Sequence, residues 1–150
     1  MGKSAAFIAR MAIAGFVSGV PLGLSLALSA SDVYHMVLEA GGPGWAAGLA
    51  RAAAMLAPLS QPFNSAFTAA LAGIAGLVAS NMLGWSGGAA LAVGSTIYIA
   101  IITFSTAILY TFTGSIYITV GSASSLVVFI VAVLWLHMKG WPDEGEPSKY

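Results

Sequence analysis

Hydroxyl side chains on two apolar segments of the C-terminal half are the first residues whose spacing could serve chemistry. At helical spacing, three would share one face of the third segment and two would share one face of the fourth: Thr96, Thr103, Thr106, Thr119 and Ser122. Such faces could line a polar path for water or a small solute. They could equally hydrogen-bond to backbone carbonyls or between helices, as hydroxyl groups in membrane helices commonly do. The sequence favours this second role.

Small residues recur every four positions on the first and second apolar segments. The rows contain Gly15, Gly19 and Gly23 on the first segment and Ala72, Gly76 and Ser80 on the second. In lipid, helices associate through close backbone approach, and rows of small residues mark such contacts. The rows predict helix packing within this chain, and the alternative is an oligomer interface with another chain.

Charged side chains are confined to the ends and to one central segment. Asp32, Glu39 and Arg51 lie in that segment, and Arg51 could pair with either acid and fasten a helix there. Its alternative role is contact with a lipid phosphate or a partner protein. His35 and His137 are expected at opposite membrane faces, so they cannot ligate one haem iron together.

Several functional classes are disfavoured by what the sequence lacks. It has no cysteine, its net charge is zero, and it contains no basic run, zinc-protease motif or phosphate-binding loop. Thiolate metal sites and nucleic-acid binding are therefore not expected. No set of nucleophile, base and orienting group can be assembled. We expect no enzymatic activity, no metal and no cofactor. A bound lipid is compatible with the sequence.

The composition is that of a membrane protein. Hydrophobic residues make up 59% of the chain and charged residues only 7%, whereas soluble domains carry about 25% charged residues. No charged residue occurs between Arg51 and Lys139. A spanning helix needs about 20 apolar residues, so this uncharged stretch is long enough for several transmembrane helices. Because backbone groups cannot stay unpaired in lipid, the spans must be helical. No carboxylate lies inside them, which argues against ion-coupled transport.

The predicted fold is an all-α membrane bundle with about four transmembrane helices and one interfacial amphipathic helix, in a single domain over 1–150. The spans are expected over 9–30, 64–83, 89–110 and 115–138, with an interfacial segment over 32–62 and a short polar tail over 140–150. The first is expected to be a retained span, because its apolar run exceeds the roughly 7–15 residues of a signal-peptide core.

The central segment is predicted to lie at the interface rather than to cross. Its helical part, Trp45 to Ala57, would cover only about 20 Å of a core roughly 30 Å thick. Arg51 at its centre would also cost about 2.5–3.5 kcal/mol on insertion scales. Four spans place both termini on one side with four of the five basic residues, Lys3, Arg10, Lys139 and Lys149. That side is predicted to be cytoplasmic or its equivalent.

The absence of chemistry and the presence of packing rows together predict a small non-catalytic subunit of a larger membrane complex, of a respiratory, photosynthetic or transport type. Its partners would be other membrane subunits and lipid. Association with further copies of this chain is an alternative. The main alternative is a homo-oligomeric pore or carrier for a neutral or weakly charged solute, lined by the Ser/Thr faces. A third is a membrane-embedded coat or filament protein.

Overall fold

A computed structural model describes residues 2–142, and almost all of that part is helical. The helices are α1 Lys3–Leu28, α2 Ala30–Glu39, α3 Gly44–Met55, α4 Ala57–Met82, α5 Gly87–Thr113 and α6 Ile116–Lys139. Four of them, α1, α4, α5 and α6, are long and apolar enough to cross a membrane. The predicted all-α bundle of a multi-pass membrane protein is confirmed. Most of the predicted polar tail, residues 143–150, lies outside the described residues.

Helices α1, α4 and α5 are longer than predicted, most of all α4, whereas α6 has the predicted length. Helix α4 begins at Ala57 rather than at position 64. Pro58 removes no helical hydrogen bond there, because the first N–H groups of a helix have no partner within it. Pro62 lies inside the helix and is buried rather than ending it. The segment predicted over 32–62 to lie at the interface is therefore shorter, because its last residues belong to a long helix.

Two short helices, rather than one, connect α1 to α4. Helix α2 was not predicted; it follows α1 after the single residue Ser29, whose carbonyl accepts a hydrogen bond from the Val33 N–H. α2 and α3 pack against each other through Ala30, Val33 and Ala54. Neither short helix can bury its apolar residues alone, and this shared contact explains why the two helices pack as a pair. We call α2 and α3 the hairpin.

The four long helices form a ring in which each runs antiparallel to its neighbours. α1 packs most extensively on α4 and then on α6, and α5 packs on α4 and, less extensively, on α6. Gly15 lies beside Ser65 and Gly23 beside Ala57, which fixes the opposite directions of α1 and α4. α5 and α6 are joined by a tight turn in which Gly114 adopts φ +63°, a left-handed conformation that favours glycine.

Basic residues are distributed unequally between the two ends of this ring. The hairpin lies at one end, which we call the hairpin end, and it carries Arg51. The start of α1 and the end of α6 meet at the opposite end, which we call the arginine end, since Arg10 contacts His137 there. Lys3 and Lys139 also lie at the arginine end, so both ends of the described chain are on one side of the bundle.

Candidate functional site

The small-residue row of α1 faces α4. A Cβ atom added at Gly19 would lie 2.6 Å from the Cα of Pro62 and 2.7 Å from the Gln61 carbonyl oxygen. Added Cβ atoms at Gly15 and Gly23 would likewise meet the α4 backbone. The two helices therefore touch along their backbones over the whole row, and this face of α1 is occupied within the chain.

The row on α4 meets a different neighbour. A Cβ atom on Gly76 would lie 2.5 Å from the Ala90 carbonyl oxygen, in the first turns of α5. Ala72 is buried on the same side, close to Gly94 of α5. The Ser80 hydroxyl donates a hydrogen bond to the carbonyl oxygen of Trp85, in the turn after α4, at 3.4 Å. Gly15, Gly19, Gly23, Ala72 and Gly76 thus lie at contacts between helices of this chain, and Ser80 is buried where α4 meets the turn that follows it.

The centre of the bundle is a polar and aromatic cluster that sequence reasoning missed. Tyr98 of α5 is 0% exposed. Its hydroxyl lies 2.8 Å from that of Ser18 on α1, and the Ser65 side chain of α4 lies close to it. Its ring centroid lies 4.2 Å from that of Phe129 on α6. This one side chain of α5 therefore contacts the three other long helices and lies between them. Its only signal in the sequence is a tyrosine in mid-span.

The predicted hydroxyl faces of α5 and α6 meet in a groove of about 490 Å³ between these two helices, which we call the hydroxyl groove. Its polar lining comprises Thr103, Thr106, Tyr110, Thr119 and Ser122. Ala107 and Ala123, both exposed, are among the residues along its sides. The groove therefore opens sideways, toward the surroundings of the bundle, and not along the bundle axis.

Hydrogen bonding divides the hydroxyl groups of this groove into two kinds. Thr106 donates to the Ile102 carbonyl at 2.7 Å, and its oxygen lies 2.9 Å from that of Ser122, which can donate to it. This pair is partly buried and links α5 to α6. Thr103 and Thr119 are exposed, and their hydroxyls make no hydrogen bond to other residues of 2–142.

Thr96 is not part of the hydroxyl groove. It is exposed on α5, and its hydroxyl donates to the Ala92 carbonyl at 2.7 Å, one turn earlier in the same helix. The structure therefore brings together four of the five threonines and serines of the predicted polar faces and leaves out Thr96. A hydroxyl bonded to its own helix has no need of a partner in lipid.

Arg51 is exposed on α3, and within residues 2–142 it makes no ion pair with Asp32 or Glu39. The expected pairing is wrong because α2 and α3 meet through small apolar side chains, which leaves the arginine on the outer surface. His35 lies on α2 in the hairpin and His137 lies at the arginine end, so these two side chains are at opposite ends of the bundle.

The geometry defines a multi-pass helical membrane protein whose centre is filled by side chains and whose outer surface carries the hydroxyl groove. No known protein family matches the chain, and neither a curated protein nor a solved structure is significantly similar to it. The basis for a function is therefore the groove, the filled centre and the two charged ends.

Proposed function

We propose that this protein is a small non-catalytic subunit of a larger membrane complex, and that the hydroxyl groove receives a transmembrane helix of a partner subunit. The observation that carries the proposal is the groove itself, which lies between the two least enclosed helices. In the most apolar window of each helix, 22% of residues are buried in α5 and 28% in α6, against 44% in α1. Partner contact is thus expected on the α5–α6 side.

The chemistry of the groove favours a helix over lipid chains as its occupant. Thr103 and Thr119 present hydroxyl groups that have no partner among the described residues. Hydrocarbon tails offer no hydrogen bond, whereas Ser, Thr, Asn or Gln on a neighbouring helix does. Small residues on that helix would also let it approach the exposed Ala107 and Ala123 closely. The expected partner is an apolar helix with small and hydroxyl side chains on one face.

The filled centre supports a binding role rather than conduction through a single copy. Tyr98 and Phe129 are each 0% exposed and occupy the space between the four long helices. The small-residue rows are already used in contacts within the chain. The bundle is therefore a self-supporting unit, and a partner adds to its outer surface.

Filling the groove tests this proposal. Ala123→Trp places a large ring in the groove, whereas Ser124→Trp adds the same ring at the next, exposed position, which does not line it. Native mass measurement of the tagged protein purified in mild detergent should show a distinct membrane partner with wild type and Ser124→Trp, and should show it lost with Ala123→Trp. Retention of the partner by both variants, or a complex made only of copies of this chain, contradicts the proposal.

A homo-oligomeric pore is a second candidate, favoured by the convergence of five hydroxyl side chains on one groove. In a ring of copies, these grooves could line a central path for a neutral or weakly charged solute. Thr103→Val keeps the shape of the side chain and removes its hydroxyl.

For a subunit, we expect no solute flux from the purified protein in liposomes. Thr103→Val should then weaken partner binding by about 0.6 kcal/mol, the average for hydrogen bonds between membrane helices. Robust flux from wild type alone that is lost in Thr103→Val would instead establish the pore.

The orientation is also open to test, because the chain has no cysteine and single cysteines give unique labels. We expect both termini on the cytoplasmic or equivalent side, since Lys3, Arg10 and Lys139 lie at one end and Arg51 at the other. Cysteines at Ser4 and Lys139 should react with an impermeant reagent from that side of sealed vesicles, and a cysteine at Gly44 from the opposite side. Labelling of positions 4 and 139 from different sides would refute this topology.

A further inference from the structure

A second cavity, at the arginine end, has a different chemistry from the hydroxyl groove. It has a volume of about 410 Å³ and lies where the start of α1, the end of α4, the start of α5 and the end of α6 meet. Its polar lining comprises Lys3, Ser4, Arg10, Ser80, Asn81 and His137. We call this cavity the basic pocket, because Lys3, Arg10 and His137 are among the residues that line it.

Arg10 is the most informative residue of the basic pocket. It is only 3% exposed, and its position is set by a hydrogen bond from Nε to the Trp141 carbonyl oxygen at 3.3 Å. Its Nη1 lies 3.5 Å from His137 Nδ1. Burying a guanidinium within a membrane bundle is costly, and such residues mark functional sites. These contacts hold the guanidinium group at the pocket wall.

Two further features add positive potential to the same cavity. Lys3 and Ser4 belong to the first turn of α1, and Gly88 belongs to the first turn of α5, so the N-terminal ends of two helices border it. Unpaired N–H groups and the helix dipole make such ends favourable for anions. Ser4 and Asn81 add side-chain hydrogen-bond donors.

We infer that the basic pocket binds the phosphate of an anionic phospholipid headgroup. Its depth fits a headgroup, because the half-exposed Trp85 and Trp141 lie at this end, and tryptophan is typical of the membrane interface. Its walls also include the apolar side chains of Phe7 and Leu77, which suit the upper part of an acyl chain. Basic pockets between transmembrane helices on the cytoplasmic side commonly bind anionic headgroups. This inference does not depend on the partner proposed for the hydroxyl groove.

Native mass spectrometry with two competing lipids tests the inference. Phosphatidylglycerol and phosphatidylcholine with the same acyl chains are added in equal amounts to the purified protein in detergent, and the bound lipids are counted. Wild type should prefer phosphatidylglycerol. Lys3→Gln should lower that preference about fivefold, the effect of one lysine near an anionic membrane surface. Lys3 is exposed, so this variant does not disturb the core.

Lys139→Gln is the matched control, because Lys139 is an exposed lysine at the same end that does not line the basic pocket. It should leave the preference unchanged. Equal losses in the two variants, no loss in either, or no preference in wild type would each overturn the inference. An excess of inorganic phosphate should not displace the lipid. If it does, the site binds a small free anion and the lipid assignment is wrong.

Discussion

Gly19→Ile should greatly lower the yield of folded protein. A side chain at this position points directly at the α4 backbone, since its first carbon would lie 2.6 Å from the Cα of Pro62. Overpacking costs about 1–3 kcal/mol even when neighbouring side chains can adjust, and occasionally more. Here the obstacle is backbone, so α1 and α4 must separate along their whole contact. The yield of monodisperse protein and its melting temperature in detergent measure the effect.

Val20→Ile is the control for this substitution. Val20 is the next residue of α1 and is exposed, so its larger side chain meets the surroundings of the bundle. We expect its yield and melting temperature to equal those of wild type. If Gly19→Ile and Val20→Ile gave the same amount of equally stable protein, the close contact between α1 and α4 would be wrong.

Tyr98→Ala should destabilise the bundle by about 3–5 kcal/mol, the range for removing a large aromatic side chain from a core. The loss has two parts. The ring leaves a cavity beside Phe129, and the hydroxyl groups of Ser18 and Ser65 lose the phenol between them. Tyr98→Phe keeps the ring and should cost only about 0.6 kcal/mol per hydrogen bond removed. Reversible unfolding in mixed micelles with increasing denaturing detergent measures both variants.

Phe104→Ala on the same helix separates core packing from a general effect of losing an aromatic ring. Phe104 is 70% exposed, so its removal opens no internal cavity. We expect its unfolding free energy to stay within about 0.5 kcal/mol of wild type, as for most surface substitutions. A Tyr98→Ala variant as stable as Phe104→Ala would show that Tyr98 is not the centre of the bundle.

The transmembrane helices could be predicted from the sequence because their cause is local. The chain between Arg51 and Lys139 carries no charge, and backbone groups in lipid must be hydrogen-bonded within each segment. The hairpin was harder to predict. Helix α2 contributes only Ala30 and Val33 to the buried cluster, and these residues are buried by contact with Ala54 of α3, which the sequence of α2 alone does not indicate.

The candidate sites could be predicted only in part. Helical periodicity placed Thr103 with Thr106, and Thr119 with Ser122, but it did not indicate that the two pairs line one groove while Thr96 lies outside it. It also gave no reason to single out Arg10, whose burial depends on the end of α6, more than a hundred residues away along the chain.

The sequence by itself determined the membrane class, the all-helical fold, the four spans and the faces on which small and hydroxyl residues lie. These follow from composition and from the 3.6-residue repeat of one helix. Only the tertiary structure decided that the glycine row of α1 meets α4, that Tyr98 joins four helices, and that Lys3 and Arg10 border one cavity. The physical reason is that a repeat fixes which residues share a face of a helix, whereas the neighbour of that face is chosen by the packing of all the helices together.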